Sequence, residues 1–401
     1  MIRHLLLSVA VSSVAIGVAR AGEEGVVATM DDLRFRPPEQ KGRAELVEGK
    51  VGKAVRFRFD EGARGAFFTS NLRGMPAWDR AAGLSFWVKG EGRDGFGGLE
   101  LIYDDDYAVR YDVAFPVKGT AWTKVVVAWS DFVPVLPGPR AKPLAASGGN
   151  APSKVSAVWF GKWWYWGDYP ALSFAVDEIR LEPTIERDAS DHRPDGPPLG
   201  RALAKLKAGR PITVVTMGDS LTDTRHWANR EVAWPALLQG RLEKAFGAKV
   251  EVVDPAIGGT QLRQNLILIP TWIDRAPAPD LVTIFFGGND WDAGMRGDEF
   301  ERACADAVDR VRRATKGAAD VLILTTNPTA DRWDTLAELS AACRRAARDR
   351  NAGLADTEKA FHAAGRDDRA RLFVHDRVHL SRAGHEIVAA TVSAVIGAAG
   401  R

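Results

Sequence analysis

Ile212-Thr213-Val214-Val215-Thr216-Met217-Gly218-Asp219-Ser220-Leu221 runs from apolar and β-branched residues into a glycine and then a serine. A short continuous apolar run that ends on Gly fits a strand covered on both faces, as in a parallel sheet. Comparable runs follow at Val250 to Val253, Leu281 to Phe286 and Val321 to Thr326, separated by longer stretches of helical character. One of these, about Phe300 to Ala314, carries both end signals: Asp298 as N-cap with Glu301 three residues on, and Gly317 just past the end. Strand alternating with helix predicts an α/β domain over 201–401, built on a parallel sheet. Open sheets of this kind bind ligands outside the carboxyl ends of their strands, and Ser220 falls at such an end.

Upstream the apolar period changes to two. Val55, Phe57 and Phe59 alternate with Arg56, Arg58 and Asp60, and Val109, Tyr111, Val113 and Phe115 with Arg110, Asp112 and Ala114. Further strands are predicted at Leu84 to Lys89, Leu99 to Tyr103, Trp122 to Trp129, Val155 to Phe160 and Leu172 to Leu181. Many short strands without helical segments make 22–186 an all-β sandwich. Leu99 to Tyr103 and Tyr107 to Phe115 read as a hairpin whose tip, Asp104-Asp105-Asp106, is too polar to bury and offers carboxylates to a calcium ion. Residues 187–200, including D-A-S-D-H-R-P-D-G-P-P-L-G from Asp188, lack periodicity and form the linker.

At 401 residues the chain has room for two or three domains, and 46% hydrophobic with 26% charged residues excludes coiled-coil and largely disordered readings. The 54 Lys and Arg nearly balance 52 Asp and Glu, so charge points to no nucleic-acid partner. Residues 1–21 read as a secretory signal: Arg3 and His4, a 14-residue apolar stretch from Leu5 to Val18, then Ala19-Arg20-Ala21. Such a stretch falls short of the roughly 20 residues a span needs, so the expectation is export to the periplasm or outside the cell, with no membrane insertion after cleavage. Cys304 and Cys343 are too few for a disulfide scaffold or a cysteine-built zinc site, and are either an inter-helix bridge or two buried thiols.

Three further blocks accompany Gly218-Asp219-Ser220-Leu221. Ile257-Gly258-Gly259-Thr260 follows the second run, Gly287-Gly288-Asn289-Asp290 the third, and Asp376-Arg377-Val378-His379-Leu380 precedes the last helix. A Ser hydroxyl becomes a competent nucleophile only with a base in reach, and a neutral His can take and return its proton near pH 7. Asp376, three residues before His379, can accept from its Nδ1 within one turn of chain. Backbone N–H groups of Ser220 and Gly259 and the amide of Asn289 can face a developing oxyanion. His375 and His385 lack an Asp three residues before them and read as surface or hydrogen-bonded structural groups. His226 either lines the pocket or faces solvent, and Trp291 is either an aromatic wall or core. Asp219 and Asp290 brace loops. No His or Cys cluster supports a metal, and no cofactor is expected.

These four blocks, in this order, resemble the GDSL-type or SGNH hydrolases over about 211–399. The resemblance implies a flavodoxin-like three-layer α/β/α domain, with Ser220 as nucleophile, Gly259 and Asn289 in the oxyanion hole, and Asp376 and His379 completing the triad. Gly258 is the alternative glycine if the second block shifts by one.

The segments 119–133 and 174–179 resemble galactose-binding-like, carbohydrate-binding sandwiches of jelly-roll type. Trp159-Phe160-Gly161-Lys162-Trp163-Trp164-Tyr165-Trp166 is too aromatic to face inward throughout, which makes Trp163, Trp164 and Trp166 candidates for stacking on sugar. The alternative is that they fill an interface with the hydrolase. The resulting expectation is an exported serine esterase acting on an ester, foremost acetyl, of a polysaccharide. The alternatives are a lipase or thioesterase on other esters, and a non-catalytic glycan-binding protein.

Overall fold

The computed structural model describes residues 25–36 and 41–398. The leader reading of 1–21 lies outside them. Among the described residues the N-terminal strands are β1 (Val26–Ala28), β2 (Gly42–Glu48), β3 (Lys53–Phe59), β4 (Ala66–Thr69), β5 (Gly83–Lys89) and β6 (Phe96–Tyr103). They continue with β7 (Asp106–Pro116), β8 (Thr123–Ala128), β9 (Val133–Pro134), β10 (Val155–Lys162) and β11 (Leu172–Glu182). One antiparallel sheet runs β2-β3-β11-β5-β8 with β1 beside β11, and the other runs β4-β10-β6-β7-β9. Phe57, Phe86, Phe115, Phe160 and Phe174 meet edge-on or stacked between the sheets, where alternate residues of each strand point inward.

The β6–β7 hairpin closes through Asp104 and Asp105, both with φ near 56°, the left-handed pair that a two-residue turn of matching twist requires. Its carboxylates are not free for calcium. Asp105 pairs with Arg73, and Asp104 and Asp106 share Arg140, so all three carboxylates already have a guanidinium partner.

The parallel strands are β12 (Ile212–Gly218), β13 (Val250–Val253), β14 (Leu281–Phe285), β15 (Asp320–Leu324) and β16 (Gly353–Ala355), in the order β13-β12-β14-β15-β16. Alternate strand residues divide between two cores. Val215, Met217, Ile284 and Ile323 join the helices Leu262–Ile267, Gly297–Ala314 and Ala337–Asp349, while Val214, Leu281 and Leu322 join Gly200–Lys207, Trp234–Phe246 and Arg382–Ala398. The result is the expected three-layer α/β/α domain. Helix Gly297–Ala314 begins one residue before Asp298, with Arg296 as its N-cap; Asp298 therefore sits in the first turn, where its charge still favours the helix dipole. Cys304 and Cys343 are buried free thiols, and their mutual contact together with burial raises the Cys304 thiol well above its ordinary value.

The first α/β core extends into the sandwich, taking in Val133, Val135, Trp163 and Tyr165. Polar contacts flank that seam: Glu299 accepts from Gly138 N–H at 3.1 Å and from Arg263 at 2.7 Å, and Arg310 donates to the carbonyls of Ser130 and Asp131.

Candidate active site

The chain order reverses around β12, which lies between β13 and β14, so the loops after these three strands surround one crevice at their carboxyl ends. Ser220 comes from the first loop, Gly258 and Gly259 from the second, and Asn289 from the third. Two glycines make the turns feasible. A Cβ on Gly218 would lie 2.2 Å from Thr222 Oγ1, and one on Gly287, whose φ is 141°, would lie 2.2 Å from Thr326 Oγ1.

His379 arrives from the other end of the domain. Its Nε2 lies 2.9 Å from Ser220 Oγ and its Nδ1 2.5 Å from Asp376 Oδ2. Asp376 Oδ1 accepts the N–H groups of Val378 at 3.0 Å and His379 at 2.9 Å. Burial alone would raise this carboxyl, but the His379 ring and the two N–H donors outweigh it and hold Asp376 at about 2. A carboxyl held that low is ionised at neutral pH, so it can fix the imidazole tautomer and stabilise an imidazolium.

Gly258 N–H is engaged by Asp223 Oδ2 at 3.0 Å, whereas the N–H groups of Ser220 and Gly259 have no protein partner among the described residues. Asn289 Nδ2 donates to Thr260 O at 2.9 Å and makes a longer, 3.4 Å contact with Asp219 Oδ2. Asp219 Oδ1 accepts from Leu221 N–H, and Asp290 Oδ1 from Leu262 N–H. Both carboxyls are buried, and burial lifts each to about 7.

His226 stacks on His379 with ring centroids 4.4 Å apart, and burial together with the His379 charge lowers its pKa. Trp227, 47% exposed, stands edge-on to the His379 ring, and exposed His375 packs against Trp227. His385 is buried; its Nδ1 accepts the Trp234 N–H at 3.2 Å, and desolvation depresses it to about 4. Trp291 is half-buried against the core, with the Arg296 guanidinium 3.8 Å from its ring centroid, so one face is already covered.

The aromatic run divides. Trp163 is only 3% exposed, wedged between the domains with its Nε1 2.5 Å from where a Gly98 Cβ would sit, and it cannot stack on sugar. Trp166 packs edge-on to Trp163 at the same seam. Only Trp164, 39% exposed, presents an open ring. Phe160, in β10, points between the sheets as strand alternation requires; Trp163 and Tyr165 lie beyond the strand and are buried because a second domain covers them, which no periodicity within the sandwich encodes.

Other residues escaped sequence reasoning. Asn229 Nδ2 donates to Ser220 O at 2.7 Å and to Asp223 O at 2.8 Å, bracing the serine's own backbone. Arg377, at φ 65°, is held by Asp331 through three contacts of 2.7–3.0 Å and so fixes the turn between Asp376 and His379. Asn327, 4% exposed, has an unpartnered Oδ1 and lines a cavity of about 260 Å³ beside Ser220 with Leu221, Phe286, Leu336 and Val378. Each is a lone polar or charged residue in an irregular segment, without a spacing that marks it.

The profile of the GDSL-like lipase/acylhydrolase family matches residues 216–387. Among solved structures, Axe2, an acetylxylan esterase from Geobacillus stearothermophilus, is 25% identical, with 48% of this chain and 96% of that one covered and a TM-score of 0.40. The lipase/acylhydrolase from Enterococcus faecalis is 20% identical, with 46% and 96% covered and a TM-score of 0.39. Among curated proteins no match was found.

Proposed function

The C-terminal half is a GDSL-like lipase/acylhydrolase domain of the SGNH type, and from it we propose that the protein is an exported serine esterase that removes acyl groups, foremost acetyl, from a polysaccharide. The observation that carries the chemistry is the unbroken relay from Ser220 Oγ, 2.9 Å from His379 Nε2, to Asp376, 2.5 Å from His379 Nδ1. In this reading His379 takes the Ser220 proton as Oγ attacks the ester carbonyl. Negative charge then collects on the carbonyl oxygen, where the N–H groups of Ser220 and Gly259 and the second N–H of Asn289, held only by its long contact to Asp219, serve as donors. His379 returns the proton to the departing sugar oxygen. A water molecule, deprotonated by the same imidazole, releases the acid and restores Ser220.

The glycan side of the proposal is supported by the ring of Trp164 and by the cleft that the sandwich and the α/β domain form beside the site. Acetate release from a panel of acetylated polysaccharides tests it; hydrolysis of 4-nitrophenyl acetate with no release from any glycan would refute the polysaccharide substrate. A second reading has its own observation. The cavity lined by Leu221, Phe286, Leu336 and Val378 has about 260 Å³, room for an acyl chain longer than acetyl. Octanoyl esters cleaved faster than acetyl esters would favour a lipase-type hydrolase.

A further inference from the structure

On the His379 side of Ser220 lies a separate cleft of about 710 Å³, walled by the 164–169 loop and Arg64 of the sandwich and by the 223–230 and 257–260 loops of the α/β domain. Its lining reaches the reacting groups through His226 and Gly258. His226 on its floor stacks on His379, and a Cβ on Gly258 would lie 3.6 Å from Ser220 Cβ. Gly167 of the sandwich loop sits against Ile257, 3.3 Å from where its Cβ would be, so the two domains jointly shape this space.

Its charges do not cancel. Three arginines, Arg64, Arg225 and Arg230, face two aspartates, Asp168 and Asp223. Asp223 is fully engaged: one oxygen accepts from Arg225 and the other from Gly258 N–H. Asp168 is 3.6 Å from Arg225, a loose contact at an exposed site. Arg64 lies over the Tyr169 ring at 5.8 Å, and neither Arg64 nor Arg230 forms an ion pair among the described residues. The open ring of Trp164, beside two guanidinium groups that have no ion-pair partner among the described residues, suits a sugar that carries a carboxylate, since a ring face covers the pyranose and Arg grips the acid. We infer that the inter-domain cleft is a subsite for a uronate residue neighbouring the esterified sugar, so that the substrate is an acidic polysaccharide; this rests on the glycan-esterase reading above.

The test compares the full-length wild type with Arg64→Ala/Arg230→Ala on three substrates: an acetylated uronate-containing oligosaccharide, an acetylated neutral oligosaccharide of equal length, and 4-nitrophenyl acetate. The expected result is a KM about tenfold higher on the acidic substrate alone, with the difference shrinking in high salt. The Arg64→Lys/Arg230→Lys protein should recover most of that loss. As a direct probe, the deacetylated uronate oligosaccharide should inhibit hydrolysis of 4-nitrophenyl acetate by the wild type and not by the alanine variant. Equal effects on the acidic and neutral substrates, or no inhibition of the wild type, would overturn the subsite. Stronger inhibition by a sulfated neutral oligosaccharide would overturn the carboxylate assignment. If the wild type cleaves only the nitrophenyl ester, the glycan-esterase reading itself falls, and that result is distinct from cleavage of neutral glycan alone, which removes only the uronate.

Discussion

The turn Asp376–His379, which presents the imidazole to Ser220, and the loop Trp163–Tyr169, which walls the neighbouring cleft, are held in opposite ways. The turn is fixed by polar contacts of its own: Asp376 accepts two N–H groups and a ring nitrogen within three residues, and Arg377 is tied down by Asp331. The loop is fixed by burial: Trp163 and Tyr165 lie 3% and 2% exposed in a core shared with the α/β domain, and the Tyr165 hydroxyl reaches buried Asp112. A locally satisfied turn can keep its shape when one atom of it is altered, so changes there should remove chemistry without unfolding. A loop that depends on a neighbouring domain should lose stability first and chemistry only through displacement.

The largest expected effect lies on the turn's side of that contrast. Ser220→Ala should lower kcat on 4-nitrophenyl acetate by about 10⁶-fold, the typical cost of deleting a nucleophile that acts as part of a relay. Its melting temperature should stay within a couple of degrees of wild type, because the half-buried hydroxyl contributes one exchangeable hydrogen bond. Persistent acetate release would assign the nucleophile elsewhere. Asp376→Asn comes next, at about 10⁴-fold in kcat, since an amide facing Nδ1 favours the wrong tautomer. A loss below tenfold would mean that the short contact to His379 has no catalytic consequence.

On the loop's side, Trp163→Ala should cost about 3–5 kcal/mol of stability through the cavity it leaves. The ring fits so closely that Gly98 could carry no side chain beneath it. Chemical denaturation measures the loss, and kcat on 4-nitrophenyl acetate should change by less than a few-fold in the folded fraction. A collapse of kcat in a stable variant would reverse the contrast, placing Trp163 in the chemistry rather than under it.

The same contrast explains what could be read from the chain. Ser220, Gly259 and Asn289 follow the ends of β12, β13 and β14, and Asp376 and His379 share one short turn before the last helix, so residues of the types that the proposed reaction needs stand in four compact blocks that the sequence displays. The parallel strand runs were equally plain: the Val250 to Val253 run is β13 to the residue, and the other three match within one or two positions, whereas in the sandwich Leu99 to Tyr103 begins three residues inside β6 and β2 was not anticipated. Very short strands such as β9 and β16 carry too few residues for any period to show. Trp163 and Trp164 are adjacent and chemically identical, yet one is buried and the other open, because the difference comes from a domain whose docking leaves no local pattern. Asn229 and Asp331 act through backbone carbonyls and a neighbouring arginine, contacts that any polar residue in a loop could make.

The smallest effect is a pH dependence that sharpens the picture of the turn's partner loop. Burial raises Asp219 to about 7 in the folded chain, and its contact with Leu221 N–H only partly offsets this. An unfolded Asp titrates near 3.9, so the folded state holds the proton more tightly. The stability linked to that proton is therefore complete below about pH 4 and is lost as pH rises through about 7. Asp290 shifts in the same direction, so the wild type alone cannot apportion the slope. Asp219→Asn removes one of the two titrations while keeping an oxygen for the Leu221 N–H. Its stability should fall by about 2 kcal/mol less than wild type between pH 5 and pH 8, read by denaturant melts at both. Identical slopes in the two proteins would mean that Asp219 is already ionised at pH 5. A negative charge would then sit 3.4 Å from the Asn289 amide, opposing the oxyanion that this loop is proposed to receive.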